Sequence, residues 1–253
     1  MAADLTRSYF DQPTDLDQKL WRYMSTKKFS DLLEKSSLFF SRADKQTDAY
    51  EGTTTQHFQE NFRELAFFCK NAENFRAREA KFNEWVRQWV FINCWHLNET
   101  ESDAMWRLYG KPNEAVAIQT TYRKLAQALP CKVSMGLVRY VDFETYPLKA
   151  GNGAHLYAIK RQAFAHEREV RAIFEDWNNP KIDPVDGELK ISMCVTNKEP
   201  GQLVKVDLSA LFECVRVAPK SSDEFLEAIR GSIRKHGLDQ PVLVSALDSP
   251  SNF

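Results

Sequence analysis

The sequence predicts an α+β fold: a mixed, mainly antiparallel sheet core with flanking helices and an inserted helical hairpin. Short segments in which apolar and polar residues alternate recur along the chain and predict strands. Helical apolar spacing is concentrated in one long block. Strand patterns stop before that block and resume at residues 90–94, so the block is predicted to be an insertion into a mainly β domain.

The first predicted unit is a strand, a helix and a second strand. Residues 20–24 alternate in character and predict a strand that carries Arg22 among aromatic neighbours. Ser25 is placed to cap the helix that follows. Residues 38–40 begin the second strand, so the unit brings Arg22 and Ser41 to one region of the sheet. In these surroundings Arg22 is either an ion-paired side chain or an anion-binding residue.

The domain organisation is predicted to be simple. Residues 1–18 carry few apolar residues and are predicted to form a mobile N-terminal arm. No internal repeat, low-complexity tract or linker interrupts residues 19–253, which are predicted to form a single domain. The helical insertion is predicted at about residues 56–89, with a break around residues 70–74 that makes it a hairpin.

The remaining patterns complete the sheet and its helices. A helix is predicted over residues 120–129, and another begins at Ser222 and stops at Gly237, with acidic residues first and basic residues last. Strands are predicted at residues 115–119, 133–140, 156–159, 189–196, 203–206, 213–217 and 242–245. A sheet of this size gives the chain a substantial core.

Composition restricts the classes of function. The 253 residues hold 34 Lys and Arg against 35 Asp and Glu, so no basic excess indicates nucleic-acid binding. The composition does not exclude a local basic groove. No apolar run has the length of a membrane span, and the N-terminus lacks the apolar core of a signal peptide. The protein is therefore predicted to be cytoplasmic, with no membrane partner.

The cysteine pattern indicates reduced thiols rather than disulfides or a metal site. Five cysteines are spaced widely, and neither a CxxC motif nor a Cys/His pair with metal-ligand spacing occurs. A thiol nucleophile at Cys94 is a minor alternative, because Cys94 and His96 share a face only if the segment is extended.

Residues 93–110 are the most informative stretch and are predicted to form one wall of a cleft. The stretch combines aromatic rings, a histidine and three carboxylates. Thr100 followed by Asp103 resembles a capping box, and Gly110 is a helix stop. The residues just before this cap lie where ligand sites often form, since backbone donors at a helix start are unpaired.

Residues 166–174 form a second informative stretch. Apolar residues alternate there with charged ones, which favours a strand over a helix. The strand would place Glu167, Glu169 and Arg171 on one face. That face is either solvated or the polar floor of a cleft.

Motifs of several well-known enzyme classes are absent. The sequence has no P-loop, no GxGxxG after a strand, no GxSxG and no HExxH. Four acidic residues could form a metal-dependent nuclease centre: Asp48, Glu51, Glu167 and Glu169. Because these residues are far apart in the sequence, the pattern does not specify such a centre, and no metal site is predicted.

Five blocks of the sequence resemble a bacterial family known as domain of unknown function 2971. They are LWRYM, FFSRADKQTDAYEG, NCWHLNETESDAMWRLYG, AVAIQTTYRKL and AFAHEREVRAIF. The resemblance covers most of residues 20–245, and the family name carries no established activity. The residues that lie in its characteristic blocks are Arg22, Asp48, Glu51, Trp95, Glu99, Trp106, Tyr109, Glu167, Glu169 and Arg171.

The order of the first strand, helix, second strand and late glutamate strand is also similar, more distantly, to the ADP-ribosyltransferase fold. That resemblance implies NAD as substrate, with Arg22 holding its phosphate or ribose. It also implies that Glu169 stabilises the positive charge that develops on the ribose as nicotinamide leaves. The predicted cofactor-binding set is Arg22, Trp95, Glu99, Trp106 and Arg171, with Tyr109 as a further ring that could stack on NAD.

One catalytic member is left open by the resemblance. Ser41 stands alone where many enzymes of this fold have a Ser-Thr-Ser run. Tyr23, Ser41 and Tyr109 are therefore alternatives for that position, and the predicted catalytic set is Glu169, Arg22, Ser41 and Tyr109.

Three functional hypotheses follow. The first is an NAD-using ADP-ribosyltransferase-like enzyme or NAD glycohydrolase, an effector, toxin or defence protein that modifies an unknown protein or nucleic acid. The second is a non-catalytic module that binds a nucleotide, a nucleic acid or a protein through the same aromatic cleft. The third is the metal-dependent nuclease.

Overall fold

The computed structural model describes residues 2–6, 10–60, 81–110, 113–148, 153–176, 182–185, 188–191 and 196–248, with the backbone alone for 182–185 and 188–191. Within this part the strands are β1 (Lys19–Ser25), β2 (Ser37–Arg42), β3 (Val90–Leu97), β4 (Ala115–Thr121), β5 (Ser134–Leu137), β6 (Arg139–Val141), β7 (Ile159–Arg161), β8 (Glu169–Glu175), β9 (Ile182–Val185), β10 (Glu188–Ile191), β11 (Gly201–Lys205), β12 (Cys214–Val217) and β13 (Val242–Leu243). The helices are α1 (Thr26–Lys35), α2 (Asp103–Tyr109), α3 (Tyr122–Ala128), α4 (Leu208–Leu211) and α5 (Asp223–Lys235). Short 3₁₀ helices cover Ala43–Lys45, Gly153–Tyr157, Gln162–Glu167 and Ala246–Asp248.

Within the described residues the main sheet has nine strands. Seven follow the order β11-β2-β3-β1-β4-β12-β13, and β8 pairs with β3 and β5. Neighbouring strands in this sheet are antiparallel except for β12 and β13. The predicted α+β class with a mainly antiparallel sheet is confirmed.

The sheet opens along one edge of β3. On that edge β2 pairs with Phe91 and Ile92, and β1 pairs with His96 and Leu97. Between these contacts, residues 93–95 pair with neither β1 nor β2 in the described register. On its other edge β3 pairs with β8 along its length. We call the gap between β1, β2 and residues 93–95 the split.

Helices cover the two faces of the sheet unequally. The larger hydrophobic core joins β1, β3 and β4 to α1, α3, α4 and α5, and includes Leu20, Leu33, Leu125 and Ile229. We call this side the core face. A smaller cluster on the opposite side packs α2 against β1 and β4, and we call that side the α2 face. Because successive strand residues alternate, Arg22 lies on the core face.

Capping side chains set where the helices begin. Ser25 accepts a hydrogen bond from the backbone of Lys28 at the start of α1, and Ser222 accepts one from Phe225 at the start of α5. Both caps agree with the sequence prediction. Helix α2 instead begins after Ser102, two residues later than the predicted cap at Thr100. Ser102 is extended and supplies the same kind of hydroxyl acceptor.

The N-terminal residues contact β5 and its neighbouring loop. Ala3 and Phe10 are buried. The backbone N–H of Asp4 donates to the carbonyl of Val133, and Asp11 accepts from the backbone of Leu137. Residues 2–6 and 10–18 therefore lie along the sheet, and the predicted mobility of the arm stays a prediction.

The predicted helical insertion is described only at its two ends. Residues 56–60 and 81–86 are helical. Residues 61–80, where the predicted hairpin turns, lie outside the described residues, so the hairpin stays a prediction. No helix within the described ranges has the length and apolar character that crossing a membrane requires.

Some predicted strand boundaries differ from the structure. The strand predicted over residues 133–140 is divided at Val138, whose backbone N–H donates to the carbonyl of Glu169. The strand predicted over residues 156–159 begins only at Ile159, because the preceding residues form a 3₁₀ turn. Alternation alone does not distinguish such turns from short strands.

Candidate functional site: a buried charged network beside the split

Five charged side chains form a buried network on the α2 face. We call it the charged network, and its members are Glu51, Lys160, Glu167, Glu169 and Arg171. Strand β8 supplies two members, β7 one, the end of a 3₁₀ helix one, and the loop after Ala43–Lys45 one. The face predicted to be either solvated or a cleft floor is therefore buried.

Arg171 is the centre of the network. Its Nη1 and Nη2 donate to the two carboxylate oxygens of Glu51 at 2.6 and 2.8 Å. Its Nε donates to Glu169 Oε2 at 2.7 Å, and Nη1 also donates to the carbonyl of Tyr157 at 2.8 Å. Such a bidentate arrangement fixes the guanidinium in one orientation.

Lys160 closes the network on its other side. Its Nζ donates to Glu169 Oε1 at 3.1 Å and also bonds Glu167 Oε2. The ammonium lies 4.7 Å from the centre of the Phe164 ring. Three carboxylates therefore share two cations, so full ionisation would leave an uncompensated negative charge.

The carboxyl groups of the charged network differ in their pKa values. Burial opposes ionisation of Glu169, but the charges of Arg171 and Lys160 lower its pKa to about 2. Burial and the charge of Glu169 raise the pKa of Glu167, and burial raises the pKa of Glu51. Glu169 is thus the member most firmly ionised, and Glu167 is the natural proton carrier beside it.

A tight turn brings Glu167 and Glu169 together. Between them Arg168 has a φ of 41°, in the left-handed region. The hydroxyl of Tyr140 accepts a hydrogen bond from the Glu169 backbone at 2.7 Å. The Nδ1 of His96 lies 2.6 Å from the Glu167 carbonyl and is assigned as the donor. Burial lowers the pKa of His96, which is therefore neutral at pH 7.

Tyr109 lies at the exposed side of the network. The side chain is 50% exposed, and its hydroxyl donates to Glu167 Oε1 at 3.3 Å. The other two candidates for the same catalytic position are engaged elsewhere. Tyr23 accepts from the backbone of Ser102 at 2.9 Å, and Ser41 Oγ donates to the carbonyl of Arg42 at 3.2 Å.

Arg22 lies at the split without an anionic partner among the described residues. Its Nη2 makes one long hydrogen bond, 3.4 Å, to the carbonyl of Phe39. Its Nη1 is buried and has no hydrogen-bond partner within the part of the chain that the structure describes. Burial lowers the pKa of Arg22 to about 10, so the guanidinium is charged at neutral pH.

Two other side chains line the split beside Arg22. Asn93 Nδ2 donates to the carbonyl of Phe39 at 2.8 Å, and Asn93 Oδ1 accepts from Trp95 Nε1 at 2.7 Å. The guanidinium carbon of Arg22 lies 5.7 Å from the centre of the Trp95 ring. Side chains therefore connect β1, β2 and β3 where backbone pairing is interrupted.

The structure brings some predicted site residues together and separates others. Glu169, Arg171 and Tyr109 share the α2 face around the network. Arg22 lies on the other face, beside the split. Glu99 is exposed, with its carboxylate 3.9 Å from Lys19.

The two tryptophans predicted to stack on a ligand are core residues in this structure. Trp95 is 2% exposed and packs in the larger core. Trp106 is 5% exposed, donates to Glu101 Oε2 at 3.0 Å, and packs edge to face on Tyr23. The ring-stacking role predicted for Trp95 and Trp106 does not fit this packing.

The nucleophile and nuclease hypotheses also meet physical obstacles. Burial and the nearby charge of Glu169 raise the pKa of Cys94 to about 12, which keeps the thiol protonated. Asp48 is 2.7 Å from Arg161 and does not join the network. Among the described residues no group of His, Cys, Asp or Glu has the geometry of a metal site.

Sequence reasoning missed several members of the site. Lys160 follows a predicted short strand with no motif around it, and Tyr140 is predicted only as the end of a strand. His96 was noticed, but only as a possible partner of Cys94. His96 and Tyr140 contact the network across 71 and 29 positions of the chain. Lys160 lies only nine positions before Glu169, but a 3₁₀ helix that leaves no periodic pattern brings the two together.

Together the fold and site define a class of protein: an α+β domain with a split sheet and a buried charged network beside the split. No protein-family model and no curated protein matches the chain. The resemblance to domain of unknown function 2971 therefore stays a prediction.

Among solved structures, the chain is similar to DarT from Thermus sp. 2.9. The structure in complex with NAD+ has a TM-score of 0.43 and 6% sequence identity, over 95% of this chain and 100% of that one. The structure in complex with carba-NAD+ has a TM-score of 0.38 and 8% identity, over 93% and 98%. Likeness at this level assigns no function to this chain.

Proposed function

We propose that the protein is an ADP-ribosyltransferase-like enzyme that binds NAD at the split and cleaves its nicotinamide–ribose bond. The observation that carries the proposal is the guanidinium of Arg22, whose Nη1 is buried without a hydrogen-bond partner and which has no anionic partner among the described residues. A desolvated, unpaired cation is costly in a folded protein. A dinucleotide pyrophosphate would supply the missing negative charge and hydrogen-bond acceptors.

The ionised carboxylate of Glu169 supplies the second requirement of this chemistry. Cleavage of the bond leaves positive charge on the ribose, while the bonding electrons depart with nicotinamide. A fixed carboxylate stabilises that charge more in the transition state than in the ground state. The pKa of Glu169, lowered to about 2 by Arg171 and Lys160 against the effect of burial, keeps it ionised across the physiological pH range.

Tyr109 and Glu167 are proposed to act on the incoming acceptor. Tyr109 is the half-exposed member of the site, and its hydroxyl donates to Glu167. A carboxylate with a raised pKa beside an ionised one is suited to take the proton that the acceptor loses as it attacks the ribose. Water in place of an acceptor would give NAD hydrolysis. The acceptor macromolecule and any role as an effector or in defence belong to this proposal.

Release of nicotinamide from NAD by the purified protein tests the proposal. Four variants are compared with the wild type: Arg22→Met, Glu169→Gln, Tyr109→Phe and Glu99→Gln. We expect Arg22→Met and Tyr109→Phe to lower release at least about tenfold, the rate effect of removing one positioned group. Glu169→Gln abolishes release, and Glu99→Gln leaves it unchanged because that side chain is exposed and away from the network.

Folding controls make the comparison interpretable. Glu169→Gln removes a carboxylate from buried Arg171 and Lys160, so a lower melting temperature is expected for that variant. Tyr109→Phe loses one 3.3 Å hydrogen bond at a half-exposed site and keeps its stability. Undiminished release by folded Arg22→Met would contradict the role of Arg22.

A second candidate function is a module that binds NAD or another nucleotide without turnover. It is favoured by the closed pairing of Glu169, whose two oxygens already contact Arg171 and Lys160. Under this alternative NAD raises the melting temperature of the wild type but not of Arg22→Met, and no nicotinamide is released in long incubations. Release by the wild type excludes this alternative.

A further inference from the structure

An open groove lies on the outer side of the charged network. Its volume is about 660 Å³, within the range of binding sites in general. The residues that line it are Tyr50, Thr54, Gln56, Gln59, Val141, Asp142, Phe143, Glu144, Arg161 and Gln162. None of these residues belongs to the network or to the split.

The groove shares two chain segments with the network. Tyr50 faces the groove while the next residue, Glu51, bonds Arg171. On β7, Arg161 faces the groove while Lys160 bonds Glu169. The ligand of the groove would therefore be held directly beside the site of the proposed reaction.

The charge of the groove favours a cationic ligand. Among the described residues of its lining the one cation is Arg161, and its charge is matched by buried Asp48 at 2.7 Å. The lining also contains Asp142 and Glu144, which have no basic partner in the described ion pairs. The negative balance opposes the phosphates of nucleic acid and attracts ammonium or guanidinium groups.

Aromatic rings reinforce this preference. Tyr50 is 46% exposed and packs edge to face on Phe143 with ring centres 5.5 Å apart. The guanidinium of Arg161 lies 4.3 Å from the centre of the Tyr50 ring, which shows that the ring accepts a cation on its face. Beside these rings the amides of Gln56, Gln59 and Gln162 can hydrogen-bond a peptide backbone.

We propose that the groove binds a lysine- or arginine-bearing segment of a partner protein. Charge complementarity selects the cationic side chains, while the open shape and the amide lining suit an extended peptide rather than a small cation. Binding in the groove does not depend on NAD chemistry. A negative nicotinamide assay would thus leave the proposal of peptide binding unaffected. A negative peptide-binding assay would likewise leave the proposal of NAD cleavage unaffected.

Fluorescence anisotropy with labelled eight-residue peptides tests the proposal. The probe alternates lysine and glycine, and the matched control alternates glutamate and glycine. Glu144→Lys reverses one charge at an exposed position of the groove. Glu34→Lys makes the same change at an exposed position of α1. We expect Glu144→Lys to weaken binding of the lysine peptide about fivefold or more, and Glu34→Lys to leave it within about twofold.

Every other outcome contradicts the proposal. Equal affinity for the glutamate peptide, or for a labelled eight-nucleotide DNA strand, would remove charge as the basis of recognition. Equal weakening by Glu144→Lys and Glu34→Lys would show only a general effect of net charge. Complete displacement of the lysine peptide by an equal concentration of spermine would identify a small-cation site instead. Melting temperatures of both variants verify that they are folded.

Discussion

Two arginines, on the two strands that pair with the same edge of β3, differ in how their charge is compensated. Arg42 on β2 is buried, with its Nε donating to Asp44 at 2.8 Å and its Nη1 to the Glu199 carbonyl at 3.2 Å. Arg22 on β1 has one long hydrogen bond and a buried Nη1 without a partner among the described residues. The same residue type thus has an anionic partner at one position and none among the described residues at the other.

This contrast predicts opposite effects of one substitution. Arg22→Met removes an uncompensated cation, so the free energy of unfolding should stay the same or rise by about 1 kcal/mol. Arg42→Met leaves Asp44 and two carbonyls without their donor and should lower it by about 3 kcal/mol. Urea unfolding without NAD measures both. Destabilisation of Arg22→Met as large as that of Arg42→Met would mean that Arg22 is structural.

Glu169 predicts a specific dependence of stability on pH. Its pKa is lowered to about 2 in the folded state from an ordinary value of 4.5, because Arg171 and Lys160 outweigh burial. The unfolded chain therefore binds a proton between these values that the folded chain does not. The resulting contribution, about 3 kcal/mol, is fully present above pH 4.5 and is lost as the pH falls towards 2.

The matching measurement compares urea unfolding of the wild type and Glu169→Gln from pH 7 to pH 3. The difference between the two proteins should be largest at neutral pH and shrink below pH 4.5. A difference that is constant with pH would show that Glu169 is not ionised in the fold. The charge of Glu169 contributes to the raised pKa of Glu167 and of Glu51, so both carboxyl groups ionise at lower pH in Glu169→Gln, and the measured pH dependence belongs to the three carboxyl groups together.

Part of the site could be predicted at the scale of single residues. The sequence identifies Glu169 and Arg171, because these charged residues alternate with apolar ones and so lie on one face of the strand. The sequence does not identify Lys160, because the role of this residue depends on contacts in the folded structure and not on its immediate neighbours in the chain. Trp95 was assigned to a ligand because aromatic residues serve both binding and packing, and only burial distinguishes the two.

At the scale of elements, Glu101 connects the start of α2 to the C-terminal segment. Its Oε2 accepts from Trp106 Nε1 at 3.0 Å and from Ser245 Oγ at 2.6 Å. Its Oε1 accepts from the backbone of Ala246 at 2.8 Å and lies 3.4 Å from Arg216. One buried carboxylate thus holds the helix that carries the exposed ring of the site.

Glu101→Ala should therefore destabilise the protein by about 3 kcal/mol, because buried donors lose their acceptor. Trp106 should become more accessible, which a red shift of tryptophan fluorescence would report. Glu99→Ala, two residues earlier, removes a carboxylate that is exposed and should change stability by less than about 0.5 kcal/mol. If both variants melt at the same temperature, the connection through Glu101 does not stabilise α2.

The elements themselves were largely predictable because local patterns determine them. Alternation marks β1 and the first part of β8, short apolar runs mark β3 and β4, and the hydroxyl caps of α1 and α5 are visible in the sequence. Boundaries were less predictable where two hydroxyl residues compete for a cap, as Thr100 and Ser102 do. Short 3₁₀ turns such as Gln162–Glu167 leave no periodic pattern that would identify them.

At the scale of the molecule, the split predicts uneven protection of backbone amides. The β3–β8 and β1–β4 pairs each extend over seven positions and should exchange most slowly. Amides of residues 93–95 that face the split lack a strand partner there and should exchange faster. NAD should slow exchange at these residues, as hydrogen-exchange mass spectrometry can measure. Unchanged exchange on addition of saturating NAD would place the ligand elsewhere.

The arrangement of strands was the part least accessible from sequence. The fold class followed from alternation and from the single helical block, but no local pattern indicates that β1 and β2 pair with the same edge of β3. No local pattern indicates that β11 pairs with β2 either, because most of the chain lies between these two strands in the sequence. Such pairings depend on the total burial of many side chains at once.

The same arrangement imposes an order on synthesis at the ribosome. Of the described strands, β1 and β2 leave the exit tunnel before all others, yet their outer partners β4 and β11 are translated much later. Until then the nascent chain presents unpaired strand edges and a bare apolar face, the features that promote aggregation. Yield of native protein in a foreign host will therefore depend on chaperone supply and translation speed more than on the stability of the finished fold.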